Sequence, residues 1–245
     1  MKVLCITQAR MSSTRLPGKV LKEIAGIPLL GYHMARVAKS QRIDKHLIAI
    51  SQDSADDALA DYLTQQHQTF FRGSEQDVLE RFYQAAVKAE AEPDDLIIRL
   101  TGDCPLICPK LLDKVIDTHL RCNKKGYSHL DLAEFPRGFD TEVFSMRLLA
   151  QAWMLANTAA EREHVTMYLY KHDLFKLYPV GGGVAAWSQL RLCVDQIEDF
   201  DLIQQIVTAF GDHIMTVDGS AICQWLLERP KIAAINQLVQ QKTSH

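Results

Sequence analysis

From its second residue the chain reads Lys2-Val3-Leu4-Cys5-Ile6-Thr7-Gln8-Ala9-Arg10-Met11-Ser12-Ser13-Thr14-Arg15-Leu16-Pro17-Gly18-Lys19. A compact apolar run from Lys2 to Thr7 passes directly into a polar loop punctuated by proline and glycine, the pattern of a buried strand ending at a functional edge. Outward from this stretch the same rhythm repeats. Pro28 to Lys39 has helical spacing of Leu29, Leu30, His33, Met34 and Val37. His46 to Ile50 is a second strand candidate, and Ser54 is a candidate cap for a helix carrying Leu59, Tyr62 and Leu63. Thr69 to Phe71 is a short third strand. Ser74 caps a helix over 77–89, Leu96 to Leu100 is a fourth strand, and Pro109 starts a helix reaching Leu120. Strand, loop and helix repeated four times predict a three-layer α/β fold, a mostly parallel sheet covered on both faces.

The rhythm breaks over 126–145, rich in aromatics, charges and turn residues, which reads as extended structure added beside the sheet. Helical patterning resumes over 146–156 and 160–170. Phe175 to Val180 and Leu190 to Val194 read as strands separated by Gly181-Gly182-Gly183, a turn, and 197–210 and 220–227 are late helices. Trp153, Met154 and Leu155 read as core. The expectation is one domain over 1–245, with 126–185 as a small insertion serving acceptor binding, dimerisation or both.

Composition excludes several classes. With 245 residues, 47% hydrophobic, 23% charged and a net charge of −3, the chain has the make-up of an ordinary globular protein and no global basic field. No nucleic-acid or membrane partner is expected. The first apolar run is too short for a signal peptide, so a cytoplasmic protein is expected. The six cysteines read as free thiols; Cys104 and Cys108 have no Cys-x-x-Cys spacing or nearby histidine to complete a zinc set.

Charge is concentrated where the first strand ends. Residues 1–22 carry Lys2, Arg10, Arg15, Lys19 and Lys22 and no acid. Two guanidiniums, an ammonium, three hydroxyls and the loop amides can neutralise and hydrogen-bond a triphosphate. This is not a P-loop: Ser13 stands where its first glycine belongs, and Val20 where Ser or Thr should follow Lys19. A dinucleotide fingerprint needs three glycines here, and the loop has one. The candidate nucleotide site comprises Gln8, Ala9, Arg10, Ser13, Arg15 and Lys19, with Arg72, Arg99 and Asp77 as further candidates for nucleotide or substrate contacts.

The segment Arg10-Met11-Ser12-Ser13-Thr14-Arg15-Leu16-Pro17-Gly18-Lys19 resembles the Arg-x-x-Ser-x-Arg-x-Pro-x-Lys signature of the CMP-sugar synthetases and acylneuraminate cytidylyltransferases, and within them the spore coat polysaccharide biosynthesis protein F type. Ser12 replaces a glycine common in relatives. That resemblance implies the Rossmann-like fold of nucleotide-diphospho-sugar transferases, CTP and an acidic 2-keto sugar as substrates, Mg²⁺ as cofactor and a homodimer.

Further motifs carry the resemblance. Thr101-Gly102-Asp103-Cys104-Pro105 puts an aspartate at a strand end, placed to hold Mg²⁺ against phosphate oxygens, and resembles the family's Gly-Asp-x-Pro metal motif. Val194-Asp195-Gln196-Ile197-Glu198-Asp199 resembles the segment that supplies the second metal ligand, a role thereby carried to Asp195; Glu198 and Asp199 are expected to favour a helix N-terminus. Pro136-Arg137-Gly138-Phe139-Asp140-Thr141-Glu142 resembles the subgroup's Pro-Arg-Gly-x-Asp-x-Glu motif. Arg137 would take a sugar carboxylate and Asp140 and Glu142 its hydroxyls, or Arg137 would simply pair with Asp140. Glu161-Arg162-Glu163-His164-Val165 resembles another subgroup motif, expected to start a helix near the site, with His164 at the sugar or merely on a helix surface.

The implied reaction is in-line attack of the anomeric hydroxyl on the α-phosphate of CTP, with pyrophosphate leaving, and Arg10, Lys19 and Asp103 as catalytic residues. No Ser/His/Asp or Cys/His set calls for a covalent intermediate. Two other readings stay open: an enzyme of this fold using another nucleotide or acceptor, including a glycosyltransferase, whose Asp-x-Asp metal motif Asp131-Leu132-Ala133 misses; and a non-catalytic nucleotide- or sugar-binding protein.

Overall fold

The computed structural model describes residues 1–122, 126–172 and 175–240. Seven strands form one sheet: β1 Val3–Gln8, β2 Lys45–Ser51, β3 Phe70–Gly73, β4 Leu96–Thr101, β5 Tyr127–Leu130, β6 Glu142–Ser145 and β7 Leu177–Val180. Their order is β3-β2-β1-β4-β6-β5-β7. Neighbours among the first four are parallel, β6 runs antiparallel to both β4 and β5, and β7 is parallel to β5. The sheet is therefore mostly parallel, and the extended region after 126 joins its edge.

The two-residue period of β1 explains the three layers. Val3 and Cys5 pack into one apolar cluster with helices α1 (Leu29–Val37), α4 (Pro109–Arg121), α8 (Ile197–Phe210) and α9 (Gly219–Leu227). Leu4 and Ile6 face the opposite cluster with α3 (Val78–Lys88) and α5 (Met146–Leu155). A smaller cluster under α2 (Asp57–Gln65) covers Ile48 and Ile50 of β2. The buried Arg36 of α1 donates to the carbonyls of Ile107, Ile214 and Val217, tying the segment after β4 to the C-terminal helices.

The chain winds outward from β1 to β3, then returns to β4 on the other side of β1. The carboxyl ends of β1 and β4 thus border a topological switch point, the crevice where α/β sheets bind ligands.

Several local expectations need correction. Leu190 to Val194 is not a strand; it is an extended crossing segment with a single parallel bridge, Arg137 to Arg191, and Asp195 stands on it rather than at a strand end. The expected helix over 160–170 is two short ones, α6 (Ala159–Glu163) and α7 (Met167–Lys171). Val165 between them has a φ of 41°, which a β-branched residue adopts only under tertiary constraint. The 161–165 motif accordingly ends a helix: Thr158 and Glu161 form the capping box that starts α6, and His164 caps its C-terminus. Asp53, not Ser54, caps the turn before α2. Asp77 caps α3, with Ser74 accepting from the Asp77 amide. Met154 and Leu155 are 65% and 49% exposed, because α5 buries the face of Leu148, Leu149 and Ala152. Trp153 packs partly buried, stacked on Tyr83.

Candidate active site

The loop after β1 folds back on itself. Gly18 donates to the Met11 carbonyl at 2.9 Å and adopts a φ of 68°, a left-handed turn that starts the short helical turn Lys19–Leu21. Asp56 accepts from the Met11 amide and Glu75 from the Ser12 hydroxyl, so the loop is braced from the β2 and β3 sides. The ordering buries Lys19 to 7% exposure and aims its side chain across the switch point.

Lys19 Nζ donates to Asp103 Oδ2 at 2.8 Å, Asp195 Oδ1 at 2.9 Å and the Val194 carbonyl at 2.6 Å. Arg15 lies 2.9 Å from Asp195 Oδ2. Three residues far apart in sequence, each from a different motif, therefore converge on one another. Burial opposes the charge on Lys19, but Asp103 and Asp195 outweigh it and hold its pKa above the ordinary value. Burial likewise raises Asp103, and Lys19 outweighs this to bring its carboxyl below the ordinary value. Lys19 and Asp103 thus face each other as an ion pair at neutral pH.

Gly102 explains why Asp103 can approach. Its amide donates to the Gln8 carbonyl at 2.8 Å, and a Cβ there would lie 3.1 Å from Ala9 Cβ. The Cys104 carbonyl accepts from His33 Nδ1 at 2.9 Å beneath the site. Since a carbonyl can only accept, Nε2 of neutral His33 accepts from the Thr7 hydroxyl, whose oxygen in turn accepts from His46 Nε2.

Asp195 is held from behind as well. Arg191 Nη2 donates to Asp195 Oδ2 at 2.6 Å, while its Nε donates to Asp199 Oδ1 at 3.0 Å. Asp199 is fully buried and also accepts from the amides of Asp195 and Gln196 and from Asn236 Nδ2. It does favour the start of α8 as expected, but its larger part is to anchor Asp195. Sequence reasoning missed Arg191 and Asn236; the i, i+4 spacing of Arg191 and Asp195 on a non-helical segment carries no periodic signal.

The other candidates fall in separate places. Arg10 is exposed in the loop, near the buried Arg81, whose pKa falls to about 10 through burial first and the Arg10 charge second. Ser13 is half-buried in the same loop, and its amide donates to the Met11 carbonyl. The Ala9 amide is committed to the Ala49 carbonyl, and Gln8 Oε1 accepts from Arg99. Arg72 lies across the sheet edge, donating to the carbonyls of Ser51 and Asp53 and pairing with Asp57. Arg162 of α6 reaches Asp77 at 3.4 Å.

On the far side of Asp103 lies the 137–142 motif. Arg137, 46% exposed, is 3.8 Å from Asp140. Glu142 pairs with Arg99, its cross-strand neighbour in the β4–β6 ladder, at 2.8 Å. Arg137 and Arg191 line a cavity of about 230 Å³. Asp140 and Glu142 line a second of about 310 Å³, and Leu132 belongs to both walls. His164 contributes its carbonyl to the turn before α7, accepting from Thr166 and Met167, and its ring is half-buried.

The donor set suits the expected Mg²⁺: two carboxylates already share one cation, the Lys19 ammonium, and hard oxygen ligands are what Mg²⁺ takes. Among the described residues no group of three acidic, histidine or cysteine side chains gathers to hold a metal, so phosphate and water oxygens would complete the shell. The adjacent thiols of Cys104 and Cys193 are pushed well up by burial and stay neutral, poor as ligands or nucleophiles. All six cysteines are free. Among the described residues no helix is long and apolar enough to cross a membrane.

A family model described as Cytidylyltransferase matches residues 4–225. The chain is 36% identical over 240 residues to the spore coat polysaccharide biosynthesis protein SpsF of Bacillus subtilis, covering 94% of this chain and 96% of that protein. It is 26% identical over 265 aligned positions to the 3-deoxy-manno-octulosonate cytidylyltransferase of Yersinia pseudotuberculosis, covering 97% and 100%. The solved structure of a cytidylyltransferase from Leptospira borgpetersenii superposes over the whole of both chains with a TM-score of 0.88 at 28% identity.

Proposed function

The chain belongs to the cytidylyltransferase family, and from that premise we propose that it transfers CMP from CTP to an acidic 2-keto sugar, releasing pyrophosphate, for a surface polysaccharide or glycan. The observation that carries this reading is the convergence of Lys19, Arg15, Asp103 and Asp195 at the switch point. The acidic acceptor is supported by Arg137 beside the two cavities and by the octulosonate-directed name of a relative matched along nearly its whole length.

In this reading the loop binds the triphosphate. Lys19 and Arg15 leave the carboxylates for phosphate oxygens, and the exposed Arg10 joins them, placing positive charge where negative charge grows as pyrophosphate leaves. Mg²⁺, held by Asp103 and Asp195, would neutralise phosphate charge and lower the pKa of an oxygen bound to it. Arg137 orients the acceptor through its carboxylate, and the segment 126–185 forms the acceptor side of the cleft. The exposed Met154 and Leu155 on α5 support the same segment as a homodimer surface.

The direct test measures thermal stabilisation by CTP, UTP, ATP and GTP with Mg²⁺, followed by pyrophosphate release with sugar acids. A ligand at 100 times its Kd adds about 2.7 kcal/mol to the folded state. Stabilisation by CTP above the others, and release only when a sugar acid is present, is the expected result. Equal stabilisation by all four, or none, refutes the cytidylyl assignment.

A further inference from the structure

Resting on the acceptor reading above, we propose that the larger cavity, between β5, β6 and α7, holds the hydroxyl-bearing tail of the acceptor sugar, with Tyr127 and Tyr170 selecting it. Its wall is Tyr127, His129, Asp140, Glu142, Tyr170 and Leu177. The two phenol rings stand 6.4 Å apart and tilted, one buried at the back and one 38% exposed at the mouth beside the 42% exposed Leu177. Apolar ring faces with a few aimed polar groups are the chemistry that grips the C–H faces and hydroxyls of a sugar chain.

The polar groups are set in place by the fold. Glu142 Oε2 accepts from Arg99 Nη1 at 2.8 Å and from the Thr166 hydroxyl at 3.1 Å. Glu142 therefore keeps one orientation in the wall as an acceptor for sugar hydroxyls. Burial first, and the Glu142 charge second, push the Tyr127 phenol well up, so it stays protonated, its hydroxyl grouped with Glu142 and Thr166 at the back of the wall. His129 Nδ1 donates to the Leu130 carbonyl, which leaves Nε2 as a second polar atom of this wall residue.

The neighbouring cavity supplies what this one lacks. No lysine or arginine lines the tail cavity among the described residues, whereas the adjoining one carries Arg137 and Arg191. The Arg137–Asp140 pair belongs to the boundary, one member to each wall. A sugar acid fits this division with its carboxylate toward Arg137 and its neutral tail against the tyrosines. A terminal phosphate would find no lysine or arginine among the described residues of this wall to pair with.

The test uses the full chain with CTP and Mg²⁺, and two probe acceptors, 3-deoxy-manno-octulosonate and N-acetylneuraminate. Tyr170→Ala, at a half-exposed position that the fold tolerates, and Tyr127→Phe, which removes only the hydroxyl, are compared with wild type. The expected result is an acceptor KM raised about tenfold in Tyr170→Ala and several-fold in Tyr127→Phe, with the calorimetric Kd for CTP within about twofold of wild type. Unchanged acceptor KM in both variants overturns the tail pocket while leaving cytidylyl transfer standing. A matching loss of CTP affinity also overturns it, since the cavity would then serve the nucleotide. Failure of the wild type to release pyrophosphate with either sugar acid, although CTP binds, overturns the pocket together with the acceptor reading.

Discussion

Replacing Asp199 by asparagine tests whether the anchor behind Asp195 is structural. The carboxylate is fully buried and accepts four hydrogen bonds: Oδ1 from Arg191 Nε at 3.0 Å and Asn236 Nδ2 at 2.8 Å, Oδ2 from the amides of Asp195 at 2.8 Å and Gln196 at 3.0 Å. An amide has one accepting oxygen. Whichever way it turns, its NH₂ faces two donors, and Arg191 loses the buried negative charge at its Nε. Breaking a buried ion pair from one side costs about 3–5 kcal/mol. At about 2–4 °C per kcal/mol for a domain of this size, the melting temperature falls by roughly 6–20 °C. Urea unfolding followed by circular dichroism measures the loss directly. Asp201→Asn, exposed on the same helix, is the control and stays within about 0.5 kcal/mol of wild type. An Asp199→Asn protein within about 1 kcal/mol of wild type refutes the reasoning, because the donors would then have found other partners at no cost.

Lys19→Met leaves the circular dichroism spectrum unchanged and lowers kcat/KM for pyrophosphate release by about 10²–10³, the usual loss on deleting a group that stabilises a developing oxyanion; activity within tenfold of wild type argues against its role. Asp103→Asn is expected to abolish Mg²⁺-dependent turnover while the protein stays folded, and a fully active variant removes Asp103 from the site. Stability itself falls on acidification. Burial depresses His33 to about 4, and burial with the His33 charge depresses His46 to about 3. Both are neutral in folded and unfolded chains above about pH 6.5, so their stabilisation is complete there and declines toward pH 4, where the unfolded chain binds protons that the folded one refuses. Urea midpoints flat from pH 7 to 4 contradict the buried pair.

What could be read from the sequence was local and periodic. The compact apolar run of Val3 to Ile6, the helical spacing of Leu29 to Val37 and the repeat of strand, loop and helix after them made the layered α/β fold legible, and with it the charged loop that β1 leads into. Lys19, Asp103 and Asp195 were candidates too, Lys19 and Asp103 from their residue types where strands end and Asp195 from the resemblance of its segment to the family's. Tertiary structure alone decided which atoms meet. It placed Lys19 Nζ between two carboxylates, 84 and 176 positions away in the chain. It turned Leu190 to Val194 from an expected strand into a crossing segment, split the helix at Val165, and paired Arg191 with Asp195 and Asp199. It also set Tyr127 and Tyr170 on one cavity wall. The physical reason is that periodicity records which face of an element leaves water, whereas the partners of a buried charge are chosen by how distant segments pack, and no spacing along the chain encodes that choice.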